Sequence, residues 1–173
     1  MEIHDYEKLW LGAALLLIVG FIATVSYGAV GAGISMIDDE GGTVDPKALD
    51  DHPKFGEPGV YKAGPNEYDV YVVAKQFAYE PGTEEPIVVP ANSTVTFHVT
   101  SSDVIHGFEV VGTNANTMAI PGQVSTFTVE VDGPQSYGLL CNEYCGAAHH
   151  AMEGSVEVVP EREFNESATA GGV

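Results

Sequence analysis

Thr94-Val95-Thr96-Phe97-His98-Val99 alternates polar and apolar residues one for one. In an extended strand successive side chains point to opposite faces, so this pattern gives one buried face and one wetter face. His98 falls on the polar face, which assigns it to the surface. Ser125-Thr126-Phe127-Thr128-Val129-Glu130-Val131 repeats the alternation further along the chain. Other short β-rich runs surround these two: Tyr68–Lys75, Ile87–Val89, Gly107–Val111, Tyr137–Leu140 and Ser155–Val159. Pro90-Ala91-Asn92-Ser93, Pro121-Gly122 and Asp132-Gly133-Pro134 separate them as turns. Many short strands at close, regular spacing imply an all-β Greek-key sandwich or barrel over residues 67–160.

Towards the amino terminus the texture changes. Residues 38–66 are rich in Asp, Gly, Pro and Lys without sustained periodicity and read as a linker. Before them, Leu9–Ile37 contains no Asp, Glu, Lys or Arg. About 20 apolar residues suffice to cross a bilayer as a helix, and Trp10 and Tyr27 suit its two interfacial belts. The acidic start and long apolar run favour a retained anchor in residues 1–37 over a cleaved signal peptide. Gly28 with Ala32, and Ala29 with Gly33, give small helix faces suited to a neighbouring helix in lipid. Lys8 before the span and Asp38-Asp39-Glu40 after it place the amino terminus in the cytoplasm and the large domain on the extracytoplasmic side of the cell membrane. Residues 161–173 read as a flexible polar tail.

The chain carries 25 acids against 6 Lys and Arg. Of these, 22 acids and 5 bases lie beyond residue 37, a formal charge of −17. Direct nucleic-acid binding needs a cationic surface and is excluded. The acids are scattered rather than grouped, which favours adaptation to molar salt over docking of a basic partner.

Soft donors are scarce and concentrated. Cys141-Asn142-Glu143-Tyr144-Cys145-Gly146-Ala147-Ala148-His149-His150-Ala151-Met152 holds both cysteines, two of the six histidines and one of the four methionines. Thiolate, imidazole and thioether together form a donor set that copper prefers. A disulfide would use Cys141 and Cys145 but leave His149 and Met152 unexplained. Zinc takes Cys and His but seldom thioether. A mononuclear blue-copper site needs one cysteine, two histidines and an axial methionine, leaving one cysteine over. A further histidine must come from elsewhere. His106 is the best placed, at the end of Ser101-Ser102-Asp103-Val104-Ile105, where one strand gives way to the next. His150, beside His149, would point away. Two thiolates, two imidazoles and a thioether could hold two copper ions that share the sulfurs.

The loop matches C-x-E-x-C-G-x-x-H-x-x-M and resembles the dinuclear copper A motif in subunit II of the haem–copper cytochrome oxidases. Ser102-Asp103-Val104-Ile105-His106-Gly107-Phe108 is similar to the family's first-histidine segment. Gly112-Thr113-Asn114 and Pro121-Gly122-Gln123-Val124-Ser125-Thr126 also resemble that family. A single helix before the domain resembles the B-type branch. The resemblance implies a cupredoxin-like domain in which His106, Cys141, Cys145, His149 and Met152 bind two copper ions, with Glu143 adding its backbone carbonyl. It further implies that the Glu143 side chain can help to hold magnesium against a neighbouring subunit. Phe77 and Tyr79 align with an aromatic-rich segment that B-type relatives place beside the copper. They would form an apolar patch for electron input, unless both simply pack in the core. The only tryptophan, Trp10, lies in the membrane segment.

By this resemblance the chain is the electron-input subunit of a terminal oxidase. It would take electrons from a soluble cytochrome c or blue-copper protein and pass them to haem in subunit I, where oxygen is reduced. The sequence itself holds no C-x-x-C-H motif and no histidine in the apolar run. A membrane-tethered blue-copper carrier and a copper A subunit of a nitric oxide reductase are the competing readings.

Overall fold

The computed structural model describes residues 4–30 and 41–165. The chain divides into two compact parts, Met1–Met36 and Ile37–Val173. In the first, helix α1 runs Asp5–Val30. Asp5 and Glu7 sit in its first turn, where negative charge complements the helix dipole. The Glu7 carboxylate also accepts the His4 backbone N–H at 2.9 Å, satisfying a donor at the helix start. Asp5–Gly28 is apolar enough to cross a membrane, with a mean hydropathy of 2.3. Ala32 and Gly33, which complete the small-residue faces, and Asp38–Glu40, which bear on orientation, lie outside the described residues.

The second part is a sandwich of two sheets. One sheet runs β1 (Gly59–Gly64), β2 (Glu67–Lys75), β5 (Ser93–Ser101), β8 (Ser125–Val131), with β3 (Ala78–Glu80) also pairing to β2. The other runs β4 (Ile87–Pro90), β10 (Glu153–Val159), β9 (Gln135–Leu140), β6 (His106–Val110), β7 (Asn116–Ala119). The β2–β5 and β4–β10 pairs are parallel, and strands far apart in sequence lie side by side. Between the sheets Phe97 faces Phe127 across the β5–β8 register and stacks on it at 5.1 Å. Phe108 from the opposite sheet closes on Phe97 at 5.8 Å. Val70, Val72, Val95, Val99, Leu139 and Val156 fill the space around them. Each such side chain contributes about 1.5–3 kcal/mol by leaving water.

Alternation in β5 holds to Val99 and then stops: Thr100 and Ser101 are both buried. Their hydroxyls are satisfied locally, Thr100 donating to the Gln123 carbonyl at 2.7 Å and Ser101 to the Val104 carbonyl at 2.5 Å. His98 is half-buried rather than on the open surface. Tyr71, its neighbour across the β2–β5 register, stacks on it at 4.5 Å.

The stretch 38–66 contains more structure than a linker implies. Its described residues include β1, and Leu49, Phe55 and Tyr61 are buried. Leu49 and Phe55 pack with Val73 and Val124 as a second apolar cluster against the β1–β2–β5–β8 sheet. The Val44 N–H donates to Gly122 and the Val124 N–H to Gly42, pinning the wrap to the start of β8. Beyond residue 160, Phe164 packs edge-on against Tyr68 at 5.3 Å.

Candidate metal centre

Two elements bring the donors together. His106 is the first residue of β6, and Cys141 follows the last residue of β9. β6 and β9 are neighbours through the Glu109–Leu140 and Val110–Leu139 pairs, so both arrive at the same end of the sandwich. The loop Cys141–Met152 closes on itself: the Cys141 N–H reaches the Met152 carbonyl at 3.4 Å. A short 3-10 turn, His149–Ala151, then lifts His149 towards the thiols and delivers Met152 to the head of β10. Gly107 admits the loop, since a Cβ there would fall 2.7 Å from the Asn142 backbone nitrogen.

The ligating atoms of His106, Cys141 and Cys145 lie within 4.8 Å of one another. Both cysteines are free thiols, with sulfurs 3.8 Å apart. Cys145 Sγ is 3.6 Å from His149 Nδ1 and 3.7 Å from Met152 Sδ. The Cys141 thiol faces the Glu143 carbonyl oxygen at 3.1 Å. The geometry thus gathers the two thiols, His106, His149, Met152 and the Glu143 carbonyl, while the Glu143 side chain and His150 are exposed. His106 and Met152 are 0% and 2% exposed, Cys141 and Cys145 8% and 3%. Burial, and then the neighbouring Cys141 thiol, push the Cys145 thiol up to about 11. A metal binding here must therefore displace a thiol proton.

His106 is held by one nitrogen. Its Nε2 bonds the Asp103 carboxylate at 2.8 Å, while Nδ1 is fully buried and has no hydrogen-bond partner among the described residues. A buried polar atom without a partner costs about 1–3 kcal/mol, and a bound metal would remove that cost. Burial alone would raise the Asp103 carboxyl, but hydrogen bonds from His106 and the Gln76 and Val104 backbone outweigh it and hold it below the usual range. A carboxylate on the far nitrogen of a ligating histidine fixes its tautomer and ring orientation.

Sequence reasoning passed over Asp103 and Gln76. Asp103 had a usable signal, an acid three residues before the histidine. Gln76 had none, because it acts on a backbone carbonyl 69 residues away: its Nε2 donates to the Cys145 carbonyl. Phe77 is half-buried and packs on the loop, with ring carbons 3.2 Å from where a Gly146 Cβ would sit. Tyr79 is not a surface residue. It is 2% exposed, its hydroxyl donates to the Gly107 carbonyl at 2.5 Å, and its ring meets Phe108 edge-on. Burial, and then the nearby Cys141 thiol, push its phenol far above the ordinary range. Core packing accounts for Tyr79, and it drops out of any docking patch.

Residues 65–159 match the family profile described as cytochrome C oxidase subunit II, periplasmic domain. A cytochrome c oxidase subunit 2 from Thermus thermophilus is 39% identical over 162 residues, covering 88% of this chain and 91% of the relative. A second Thermus thermophilus sequence of the same name is 43% identical over 117 residues, covering 66% and 84%. Among solved structures, a chain of a heme-copper terminal oxidase dimer superposes with a TM-score of 0.72 at 32% identity, covering 90% of this chain and all of that one. The periplasmic domain of subunit II of the Bradyrhizobium japonicum cytochrome oxidase shares the cupredoxin-like fold, at a TM-score of 0.51 and 23% identity over 55% of this chain and 86% of that one. With the profile spanning more than half its length and a near full-length relative at 39% identity, the chain belongs to the cytochrome c oxidase subunit II family, components of an oxidoreductase complex.

Proposed function

We propose that this subunit receives electrons at a dinuclear copper centre held by His106, Cys141, Cys145, His149 and Met152, with the Glu143 carbonyl. The observation that carries the reading is the cluster of His106 with two free thiols, in which the buried His106 Nδ1 has no hydrogen-bond partner among the described residues. These residues would hold a copper pair, which would supply one-electron transfer without bond making. The protein's part is to prepare the frame. Asp103 orients His106, the 3-10 turn carries His149, and the closed loop keeps Met152 almost fully buried. Low exposure of the sulfurs keeps bulk water from the site.

Electrons arrive from a soluble cytochrome c or blue-copper protein and leave to haem in subunit I. Phe77, with the exposed Val104 and Ile105 just before His106, offers an apolar landing surface beside the centre. In concentrated salt, charge steering is screened and contact between apolar surfaces carries docking. Ile105→Asp should slow reduction by the soluble donor while leaving copper content unchanged; an unchanged rate would remove Ile105 from the patch. The exposed Glu143 carboxylate is free to help hold magnesium at the subunit boundary. Glu143→Gln with unaltered magnesium content and activity would dispose of that role. The helix α1 anchors the chain, amino terminus inside and copper domain outside, so protease added to sealed right-side-out vesicles should remove the domain; protection would reverse the orientation.

Elemental analysis of the purified full chain tests the metal assignment. The expected value is two coppers per chain, lost in Cys141→Ser and Cys145→Ser. One copper per chain would favour a mononuclear blue site instead.

A further inference from the structure

The β2–β3 hairpin touches both halves of the centre. Lys75 pairs with Ala78 across it, leaving Gln76 and Phe77 as its tip. The Gln76 backbone N–H donates to Asp103 Oδ2 at 2.8 Å, and Asp103 Oδ1 accepts from His106 Nε2 at 2.8 Å. The Gln76 side chain turns the other way and donates from Nε2 to the Cys145 carbonyl. One residue therefore bonds to the segment that carries the first histidine and to the loop that carries the cysteines, 27 and 69 positions away. Gly146 makes the contact possible. Its φ is +136°, and a Cβ there would lie 2.7 Å from Gln76 Nε2 and 3.2 Å from the Phe77 ring. Strand pairing does not join these two pieces at this point: His106 pairs with Ala119, and the β6–β9 pairs begin at Glu109.

We propose that Gln76 is a positioning residue for the metal centre, a staple that sets the separation between His106 and Cys145. The proposal rests on the copper reading above. The staple's backbone half belongs to any residue at position 76 that keeps its N–H, but the bond to Cys145 needs a side-chain donor of glutamine's length. Alanine removes that donor. Glutamate sets an acceptor against the carbonyl and repels it. A ligand loop freed on one side lets the thiol and imidazole frames move relative to each other, which alters electron sharing between the metals and speeds metal loss. One net hydrogen bond corresponds to about a three- to tenfold change in an equilibrium or rate.

The test uses the full chain in detergent, as wild type, Gln76→Ala, Gln76→Glu, Gly146→Ala and the control Lys75→Ala, which breaks only the exposed Lys75–Glu80 pair on the same hairpin. The readouts are copper per chain, the electron-spin-resonance hyperfine pattern, copper release to a chelator, and deuterium exchange of residues 101–106 and 141–152 in the metal-free form. Gln76→Ala should load copper as wild type does, release it about three- to tenfold faster and show altered hyperfine splitting. Gln76→Glu and Gly146→Ala should go further, and Lys75→Ala should match wild type. Metal-free Gln76→Ala should exchange faster in both segments. Wild-type release, spectrum and exchange in Gln76→Ala would overturn the proposal. Wild-type chain lacking the copper pair would instead overturn the copper reading, and the metal-free exchange would still decide whether Gln76 staples the two segments.

Discussion

His106 is held in one orientation, as the proposed metal centre requires. Asp103 takes its Nε2, and Nδ1 is buried without a hydrogen-bond partner among the described residues, in a side chain that clusters with both thiols. Removing the carboxylate should therefore free the His106 ring and weaken the hold on a metal. Asp103→Ala is expected to lower copper affinity about 10–100-fold by chelator competition, and unchanged affinity would show that His106 needs no orienting partner. Met152 stands differently. A thioether would be a weak ligand to the proposed copper, so Met152→Leu should shift the reduction potential while retaining copper, as electrochemistry on the loaded chain can check. At this scale the sequence was most readable where chemistry is written in residue type. Two cysteines, a histidine and a methionine within twelve residues announce themselves. Gln76 does not, because glutamine binding a backbone carbonyl leaves no pattern. The sequence leaves Tyr79 between docking patch and core, because an aromatic beside a site looks alike in sequence whether it faces solvent or core, and its burial decides for the core.

The elements followed the alternation where one face is wet and one is dry. β5 and β8 are legible for that reason, with Phe97 and Phe127 on the inner face. β3 and β7 are three and four residues long, too short to show a period. β1 lies among Pro and Gly, and the buried residues of the preceding wrap are isolated large side chains in polar surroundings, a pattern no periodicity detects. That wrap makes a measurable contribution. Phe55 is 3% exposed, against Val73, Val124 and the edge of Tyr71. Phe55→Ala should cost about 3–5 kcal/mol in denaturant unfolding. A cost well under about 1 kcal/mol would mean that the segment is an adherent linker and not part of the folded body.

Over the whole molecule the strongest feature is charge. A formal −17 beyond residue 37 makes the folded domain repel itself unless ions screen it. The melting temperature should rise from low to molar sodium chloride, and equal stability at low salt would contradict adaptation to a saline medium. Under the proposed function, an acidic exterior screened by salt would leave apolar contact to carry docking near the centre, and α1 is long and apolar enough to anchor the chain. What the gathered donors hold is tested most directly by electron-spin resonance of the copper-loaded full chain. One electron shared between two copper nuclei gives a seven-line hyperfine pattern, which is the expected result, whereas a four-line pattern would mean one copper and contradict the dinuclear centre.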